Sequence, residues 1–266
     1  MKEKDKLSAE GIQKNLNGNK YNIIFLDEVD STNRYLKSAG NDLVEYTAVI
    51  ADSQTCGRGR FTRKFYSPAG SGIYMSVLLK PGYRAGDSVL ITAAAAVAVT
   101  DAIKEVSGSE PSIKWVNDVF INSKKVCGIL CEGVLNTETS QLDRVILGIG
   151  INVYPPENGF DGEISSVAGS VFEKPQPGMR NRLAACVLNR FEEHYRQLEK
   201  RTFLEEYRSY SAVTGKKITV LKDGKSLEAK ALDIDENCRL LVEYSDKSRE
   251  YLSSGEISIR LIPQRN

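Results

Sequence analysis

Short apolar runs separated by polar turns fill the first 155 residues, and most of these runs predict strands. They are rich in β-branched and aromatic residues, which favour a pleated, half-buried backbone. Residues 88–106 are Ala-rich and apolar on most faces, so they predict a helix buried against a sheet. Another helix is expected to be capped by Asp30 or Ser31 and to end at Ser38. The expected strands are 21–26, 47–51, 73–79, 113–115, 119–121, 126–133 and 145–153.

The pattern changes in the second half of the chain. Pro and Gly punctuate residues 155–177, which predicts a long irregular connection, and residues 179–210 have the period of one or two amphipathic helices. Short alternating runs between 216 and 262 are typical of a small antiparallel barrel. We therefore predict an α+β protein. Its expected parts are a short N-terminal extension (1–19), a mixed β-sheet domain flanked by helices (20–212) and a C-terminal β-barrel (213–266).

Charge and cysteine usage narrow the class of protein. The 36 Lys and Arg residues nearly cancel the 35 Asp and Glu residues, and the net charge of +1 argues against bulk attraction to nucleic acid or membranes. The sequence contains no apolar run of the roughly 18 residues that a transmembrane helix needs, and its polar N-terminus is unlike a signal peptide. Five cysteines without a regular framework favour free thiols in a reducing, cytoplasmic compartment.

Two features of the sequence could suggest other chemistry. Cys127 and Cys131 are closely spaced, but no second pair follows, and tetrahedral zinc needs about four ligands. Buried thiols and no metal site are therefore expected. The single histidine, His194, lies in a segment with a helical period, and no Gly-x-Ser-x-Gly elbow accompanies it. We expect a helix-surface imidazole and no catalytic triad.

The most distinctive segment is the basic loop, residues 57–67. It begins with the sequence GRGRFTRKF, which places four cationic side chains and no acid within 58–65. Glycine lets backbone N–H groups approach a ligand closely, and the planar fork of arginine suits phosphate and carboxylate. Taken alone, the loop fits a nucleotide site, a solvated basic loop or an RNA-binding Arg-Gly segment. We expect it to be mobile without ligand and to order over one, because its repelled cations lack partners until an anion arrives.

Four other segments accompany the basic loop in a fixed order. They are DSTN at 30–33, KWVND at 114–118, KKVCGIL at 124–130 and GIGIN at 148–152. Taken singly, each also fits a cap, a turn or a bulge. Together they resemble the biotin protein ligases, whose pattern is Ser-Thr-Asn, Gly-Arg-Gly-Arg, Lys-Trp-x-Asn-Asp, Lys-x-x-Gly-Ile-Leu and Gly-x-Gly-x-Asn. The resemblance runs from 27 to 152 and resumes at 255–258.

The resemblance implies an architecture as well as a function. It implies a class II synthetase-like catalytic domain of the biotin/lipoate ligase type, followed by an SH3-like β-barrel. Two positions depart from the pattern: Phe65 stands where relatives often have Trp, and Val116 where they often have Pro. Only about 20 residues precede the first expected strand, so the N-terminal helix-turn-helix domain of bifunctional relatives, a repressor role and a DNA partner are not expected.

The implied reaction joins biotin to a protein lysine in two steps. ATP and biotin first give biotinyl-5′-AMP, with Mg²⁺ accompanying ATP, and a lysine of a biotin carboxyl carrier protein then takes the biotinyl group. By resemblance, Lys125 and Arg60 are catalytic, and Asp118 is the third catalytic candidate. Asp118 is expected to orient the acceptor lysine or accept its proton, and a structural function as a cap or in a salt bridge stays open for it. The implied biotin-binding residues are Ser31, Thr32, Asn33, Gln54, Arg58, Gly59, Arg60, Lys125, Gly128 and Gly148. The implied nucleotide-binding residues are Arg58, Arg60, Arg63, Phe65, Asn117, Lys125 and Asn152.

Alternative interpretations remain open at this point. A lipoate or octanoate protein ligase is the nearest one, and Cys127 beside Lys125 could suggest the Cys–Lys pair of octanoyl transferases. An RNA-binding module is a different class, but such modules usually carry excess positive charge. The sequence leaves open whether the protein is a monomer or a homodimer.

Overall fold

A computed structural model describes residues 5–39, 43–61, 63–81, 88–135, 142–160, 162–222, 224–253 and 258–261. Its centre is a seven-stranded mixed sheet in the order β1-β2-β3-β7-β6-β5-β4. Only β1 and β2 pair in parallel, and each of the other neighbours is antiparallel. The strands are β1 Asn22–Val29, β2 Thr47–Gln54, β3 Gly72–Leu79, β4 Ser112–Lys114, β5 Asp118–Ile121, β6 Lys124–Leu135 and β7 Leu142–Asn152. All seven expected strands are confirmed.

Helices flank this sheet as predicted. The Ala-rich helix is almost wholly buried and packs with the amphipathic helix that follows the irregular connection, and both contact the sheet. The helix after Ser31 begins and ends where the sequence predicts. The helices are α1 Ala9–Gln13, α2 Thr32–Ser38, α3 Ser88–Ser107, α4 Met179–Arg196 and α5 Leu204–Ser209, with 3₁₀ turns at Gly162–Ser166 and Leu198–Lys200. Among the described residues, none of these helices is long and apolar enough to cross a membrane.

The two faces of the central strands differ in composition. Side chains alternate across a strand, so neighbours in sequence serve opposite faces. The core face lies toward α3 and α4 and is built of buried apolar residues, among them Met75, Leu147 and Ile149. The opposite face, here called the site face, carries Tyr74, Ser76, Gly128, Leu130, Gly148 and Gly150, which are brought together by the register of β3, β7 and β6. Helix α2 covers one end of the site face through Leu36 and leaves the other end open.

The N-terminal extension is packed rather than a loose lead-in. Its helix α1 contacts α4 and buries Ile12 completely. Asp5 is buried beside the guanidinium of Arg180, whose backbone N–H donates to the Asp5 carboxylate at 3.0 Å. A buried ion pair of this kind is costly to break, because removing either partner leaves an unpaired charge. The extension is therefore an integral part of the main core.

The C-terminal segment forms a second sheet. Five antiparallel strands lie in the order β11-β10-β9-β8-β12 and comprise Lys217–Lys222 (β8), Lys225–Ile234 (β9), Leu240–Tyr244 (β10), Arg249–Leu252 (β11) and Ser258–Leu261 (β12). Within the described part of the chain no pairing joins β11 to β12, so the expected barrel is an open sheet there. The sheet contacts the main core where the Trp115 indole N–H donates to the Cys238 carbonyl at 2.9 Å. The domain boundaries at 20–212 and 213–266 stay a prediction.

Candidate functional site

One cavity on the site face gathers almost all of the residues that the sequence analysis selected. Its lining includes Ser31, Thr32, Asn33, Gln54, Arg58, Gly59, Arg60, Arg63, Phe65, Asn117, Asp118, Lys125, Gly128 and Gly148. These residues come from α2, β2, the basic loop and strands β5 to β7, so they meet only in the folded chain. Asn152 is the exception. Its side-chain amide donates to the Gly169 carbonyl at 3.0 Å, and it does not line the cavity.

The floor of the cavity consists of glycines beneath an aromatic ring. Gly128 and Gly150 face each other across β6 and β7. A Cβ at Gly150 would lie 2.6 Å from the Phe65 ring, and a Cβ at Gly128 would lie 3.3 Å from it. Asn33 lies so close over Gly148 that a Cβ there would overlap its side-chain oxygen. The glycines of Gly-x-Gly and Lys-x-x-Gly are thus required for close approach of side chains to the sheet.

A β-bulge brings Lys125 to the site face. The pairing of β5 with β6 skips Val126, because Val119 faces Cys127 and Phe120 faces Lys125. Strict alternation would put Lys125 and Gly128 on opposite faces, whereas the extra residue puts both on the same one. The Lys125 ammonium nitrogen lies 2.6 Å from the Asp118 carboxylate, with the two side chains only 33% and 20% exposed. Two of the residues expected to be catalytic, Lys125 and Asp118, therefore contact each other.

The irregular connection returns to this strand and holds its backbone. The Lys125 N–H donates to the Val167 carbonyl at 2.7 Å, and the Gly169 N–H donates to the Lys125 carbonyl at 2.9 Å. This contact forms an isolated bridge between Lys125 and Ala168. Residues 167–169 thus fix the main chain that presents the lysine, a function that no sequence pattern in 155–177 indicated.

A hydrogen-bond network links the start of α2 to the basic loop. The Thr32 backbone N–H and hydroxyl both donate to the Gln54 side-chain oxygen, at 3.0 and 3.1 Å. The Gln54 amide nitrogen donates to the Ser67 hydroxyl at 2.9 Å, and that hydroxyl donates to the Phe65 carbonyl at 3.0 Å. Ser31 precedes α2 and makes no side-chain cap bond. The polar residues of this wall are therefore held in place by one another.

The basic loop folds back on itself as a small hairpin. Arg58 and Lys64 form an antiparallel bridge, and the Phe65 N–H donates to the Gly57 carbonyl at 2.9 Å. Gly57 has no room for a side chain, because a Cβ there would collide with the Phe65 carbonyl. Thr62 lies outside the described residues. The Gly-Arg-Gly-Arg segment therefore forms the first arm of a hairpin. The second arm places the Phe65 ring against the glycines of the cavity floor.

The two inner arginines of the loop already have partners. The Arg58 guanidinium donates to Glu132 at 3.1 Å, and the Arg60 guanidinium donates to the Asn117 side-chain oxygen at 3.2 Å. Burial lowers the pKa of Arg60 from its ordinary value, and the nearby Asp118 charge opposes that shift. The loop cations were expected to lack partners until an anion binds. This is wrong for Arg58, because the Glu132 carboxylate accepts a hydrogen bond from its guanidinium. The expected mobility of the loop stays a prediction.

Sequence reasoning missed several residues of this site. The most important is Glu132, which receives Arg58 and also accepts from the Asn33 amide at 2.9 Å. Ser76 is another, since its hydroxyl donates to Asn33 at 2.6 Å. Strand alternation could have found Glu132, because it follows Gly128 and Leu130 at intervals of two on the same strand face. Ser76 could only have been found from the register that sets it opposite Gly148.

The cysteines and the histidine lie away from the cavity chemistry. Cys127 is completely buried in the apolar core, and burial raises the pKa of its thiol far above the ordinary value. Cys131 is partly buried, and burial raises the pKa of its thiol to about 12. The buried-thiol prediction is confirmed for Cys127, and an inert thiol there does not suit a Cys–Lys transferase. His194 is mostly covered beside Asp101 of α3, with 3.7 Å between its Nε2 and the carboxylate, and it does not line the cavity.

Comparison with known proteins gives the same assignment along nearly the whole chain. Residues 25–152 match the biotin/lipoate A/B protein ligase family, and residues 213–260 match the biotin protein ligase C-terminal domain. The bifunctional ligase/repressor BirA of Bacillus subtilis is 33% identical over 241 residues, which cover 87% of this chain and 72% of that protein. The biotin–[acetyl-CoA-carboxylase] ligase of Mycobacterium tuberculosis is 29% identical, covering 86% of each.

A solved structure agrees with the sequence comparison. Biotin protein ligase from Aquifex aeolicus, in complex with biotin and ATP, superposes with a TM-score of 0.77 at 30% identity. The match covers 91% of this chain and 99% of that one. Of the resemblance at 255–258, only Ser258 lies within the described residues. The chain matches two domains of this family, shares its fold and is 33% identical to a relative that it covers over 72% of its length. The chain therefore belongs to the biotin protein ligase family.

Proposed function

We propose that this protein is an ATP-dependent biotin protein ligase that makes biotinyl-5′-AMP and transfers biotin to a lysine of a biotin carboxyl carrier protein. The observation that supports this most strongly is the composition of one cavity, in which Lys125, Arg58, Arg60 and Arg63 stand over a floor of glycines and Phe65. An acid with a compact apolar body fits such a floor, while the cations suit its carboxylate and the phosphates of a nucleotide.

The first step brings two anions together. A biotin carboxylate oxygen bonds to the α-phosphorus of ATP, the bond from that phosphorus to the bridging oxygen breaks, and pyrophosphate leaves with the electron pair. Fixed cations reduce the repulsion and stabilise the charge that develops on the phosphate oxygens. Lys125, held beside Asp118, is placed to exchange that carboxylate for the carboxyl and α-phosphate oxygens of the reactants. Arg58 and Arg60 would hold the biotin carboxyl group and the phosphates, and Arg63 would assist the departing pyrophosphate.

The second step needs a neutral amine. The acceptor lysine nitrogen bonds to the carbonyl carbon of the mixed anhydride, AMP leaves, and the amine loses a proton. Asp118 lines the cavity and can accept that proton or orient the amine once Lys125 has moved to the phosphate. The observed ion pair supports a positioning function for Asp118 at least in the first step.

The polar wall suits the ureido group of biotin. Ser31, Thr32 and Asn33 are buried, with at most 4% of each residue exposed, and they line the same cavity as the cations, the glycines and Phe65. A wall of hydroxyl and amide groups favours a ligand that offers both hydrogen-bond donors and acceptors, because an alkyl chain offers neither. This favours biotin over octanoate or lipoate. Asn117 anchors Arg60 and so reaches the nucleotide through it, while a nucleotide contact by Asn152 has no support from its position.

The remaining elements of the proposal concern partners and location. Mg²⁺ enters as the ion carried by the ATP phosphates, with its oxygen ligands supplied mainly by the nucleotide and water. The protein partner is a biotin carboxyl carrier protein or domain, and no DNA or membrane partner is proposed. The five cysteines are all free, which supports a reducing, cytoplasmic location.

The test is pyrophosphate release from ATP and Mg²⁺ by purified protein, with biotin, lipoate or octanoate supplied singly. Biotin-dependent release, followed by a mass increase on a biotin carboxyl carrier domain, is the expected result. Release only with lipoate or octanoate would keep the adenylating site and overturn the substrate. An absence of release with all three acids would overturn the enzyme assignment.

A further inference from the structure

Glu132 lies at the point where three elements of the site converge. It follows Gly128 and Leu130 on the site face of β6, and its side chain is only 18% exposed. The Arg58 guanidinium approaches both of its oxygens, at 3.1 and 3.4 Å. The Asn33 amide donates to the same carboxylate at 2.9 Å, and the Lys37 ammonium lies 3.9 Å away. One carboxylate thus joins the basic loop and α2 to the sheet.

The orientation of Asn33 depends on this carboxylate. An ionised carboxylate only accepts hydrogen bonds, so it must face the amide nitrogen of Asn33. The Ser76 hydroxyl donates to the amide oxygen at 2.6 Å from the opposite side. With both ends engaged, the side chain lies flat over Gly148, where a Cβ would collide with it. A glutamine at 132 could turn a donor toward Asn33 and remove this constraint.

The conformation of Arg58 depends on Glu132 as well. A cation on a glycine-rich loop beside other cations has many conformations, and a charge-assisted hydrogen bond selects one of them. Glu132 supplies that bond from the rigid sheet rather than from the loop. Among the described residues, Gly59 to Phe61 and Arg63 lie at the tip of the loop beyond the Arg58–Lys64 bridge, and Phe61 has a positive φ of 59°.

We propose that Glu132 is the internal counter-anion that positions Arg58 and Asn33 for the substrate acid and keeps the first arm of the basic loop ordered before ligand binds. Glu132 is a positioning residue and does not touch the reacting atoms. The kinetic consequence rests on the proposed biotin ligase function, whereas the structural consequence does not.

The experiment compares wild type with Glu132→Gln, Glu132→Asp and the surface control Glu110→Gln, which removes an exposed ion pair with Lys104 of α3, outside the lining of the cavity. Hydrogen exchange of 57–67 without ligand is measured together with KM and kcat for biotin in pyrophosphate release. For Glu132→Gln we expect faster exchange at 57–60 and a KM for biotin raised about tenfold, with kcat changed less than about threefold. Glu132→Asp should recover part of both effects, and Glu110→Gln should match wild type.

The outcomes separate this proposal from the proposed function. An active wild type whose Glu132→Gln variant has unchanged exchange and unchanged KM would overturn the positioning function of Glu132. A lower kcat together with a lower melting temperature, with KM for biotin unchanged, would also overturn it. That result would mean that Glu132 supports the fold in general and does not position Arg58 and Asn33. A wild type without biotin-dependent activity would overturn the proposed function, and the exchange comparison would then still test the ordering of the loop. If Glu132→Gln does not fold, a double-mutant cycle of Glu132→Asp with Arg58→Lys decides the matter through non-additive changes in KM.

Discussion

The two faces of the central sheet are built from the same strands, yet they serve opposite purposes. Along β7, Leu147 and Ile149 enter the apolar core, while Gly148 and Gly150, which alternate with them, form part of the floor of the cavity. The core face carries large side chains, whereas the site face has glycines at 148 and 150. Their lack of side chains lets Asn33 and Phe65 approach the backbone. A shift of one residue in register would exchange these faces, so the pairing that forms the core also forms the site.

The comparison teaches that stability and activity are separable within a few residues of chain. Substitutions on the core face should lower the free energy of unfolding and leave substrate affinity unchanged. Substitutions on the site face should weaken substrate affinity or catalysis and leave the free energy of unfolding nearly unchanged. The predictions below test that division, beginning with the largest expected effect.

Lys125→Ala should reduce the rate of pyrophosphate release on the order of a thousandfold, because the cation that the bulge brings to the site face is lost. The melting temperature should change little, since the side chain is one-third exposed. Single-turnover kinetics with saturating biotin and ATP measure the rate. Lys124→Ala, one residue earlier in the strand, is the control and should retain activity. Comparable losses in both variants would contradict the face assignment.

Leu147→Ala should lower the free energy of unfolding by about 2–5 kcal/mol, because it leaves a cavity at a fully buried position. The KM for biotin should remain within about twofold of wild type at a temperature where the variant is folded. Urea denaturation and initial-rate kinetics give the two quantities. A large rise in KM with little loss of stability would show that the core face reaches the substrate.

Gly150→Ala should raise the KM for biotin about tenfold or more, because the added methyl forces the Phe65 ring away from the floor. Gly128→Ala is the graded control. Its Cβ would meet the same ring at 3.3 Å instead of 2.6 Å, so its effect on KM should be smaller. The same Cβ would lie 3.2 Å from the Lys125 ammonium nitrogen, so kcat is compared separately from KM. Steady-state kinetics with varied biotin measure both variants. The reverse order of effects would contradict the placement of Phe65.

The smallest effect concerns the thiols of the core face. Burial raises the pKa of Cys131 to about 12, so iodoacetamide at pH 8 should modify exposed Cys56 well before Cys131. Unfolding exposes a thiol with an ordinary pKa of about 8.5, so the free energy of unfolding should fall as the pH rises above that value toward 12. Peptide mass spectrometry over time measures the labelling. Early modification of Cys131 in the folded protein would place that thiol outside the core.

Much of the fold could be predicted because its determinants are local. The apolar runs and turn residues of the first 155 positions marked each strand, and the Ala-rich run marked α3. The site residues could be selected because their motifs stand in a fixed order. Strand alternation from Gly128 could have placed Glu132 on the site face, but its contact with Arg58 could not be predicted, because the two residues are 74 positions apart and meet only in the folded chain. The contact of 167–169 with Lys125 was beyond prediction for a similar reason, because it joins segments about 40 residues apart through backbone groups alone.

The central claim is that the site face assembles biotin and ATP into an adenylate. The most direct measurement is mass spectrometry of the small molecule retained by the protein after incubation with biotin, ATP and Mg²⁺ without an acceptor. We expect biotinyl-5′-AMP bound to wild type and to folded Leu147→Ala, and none bound to Lys125→Ala. Absence of the adenylate from wild type would show that the site face does not form it, and undiminished formation by Lys125→Ala would show that Lys125 is not needed.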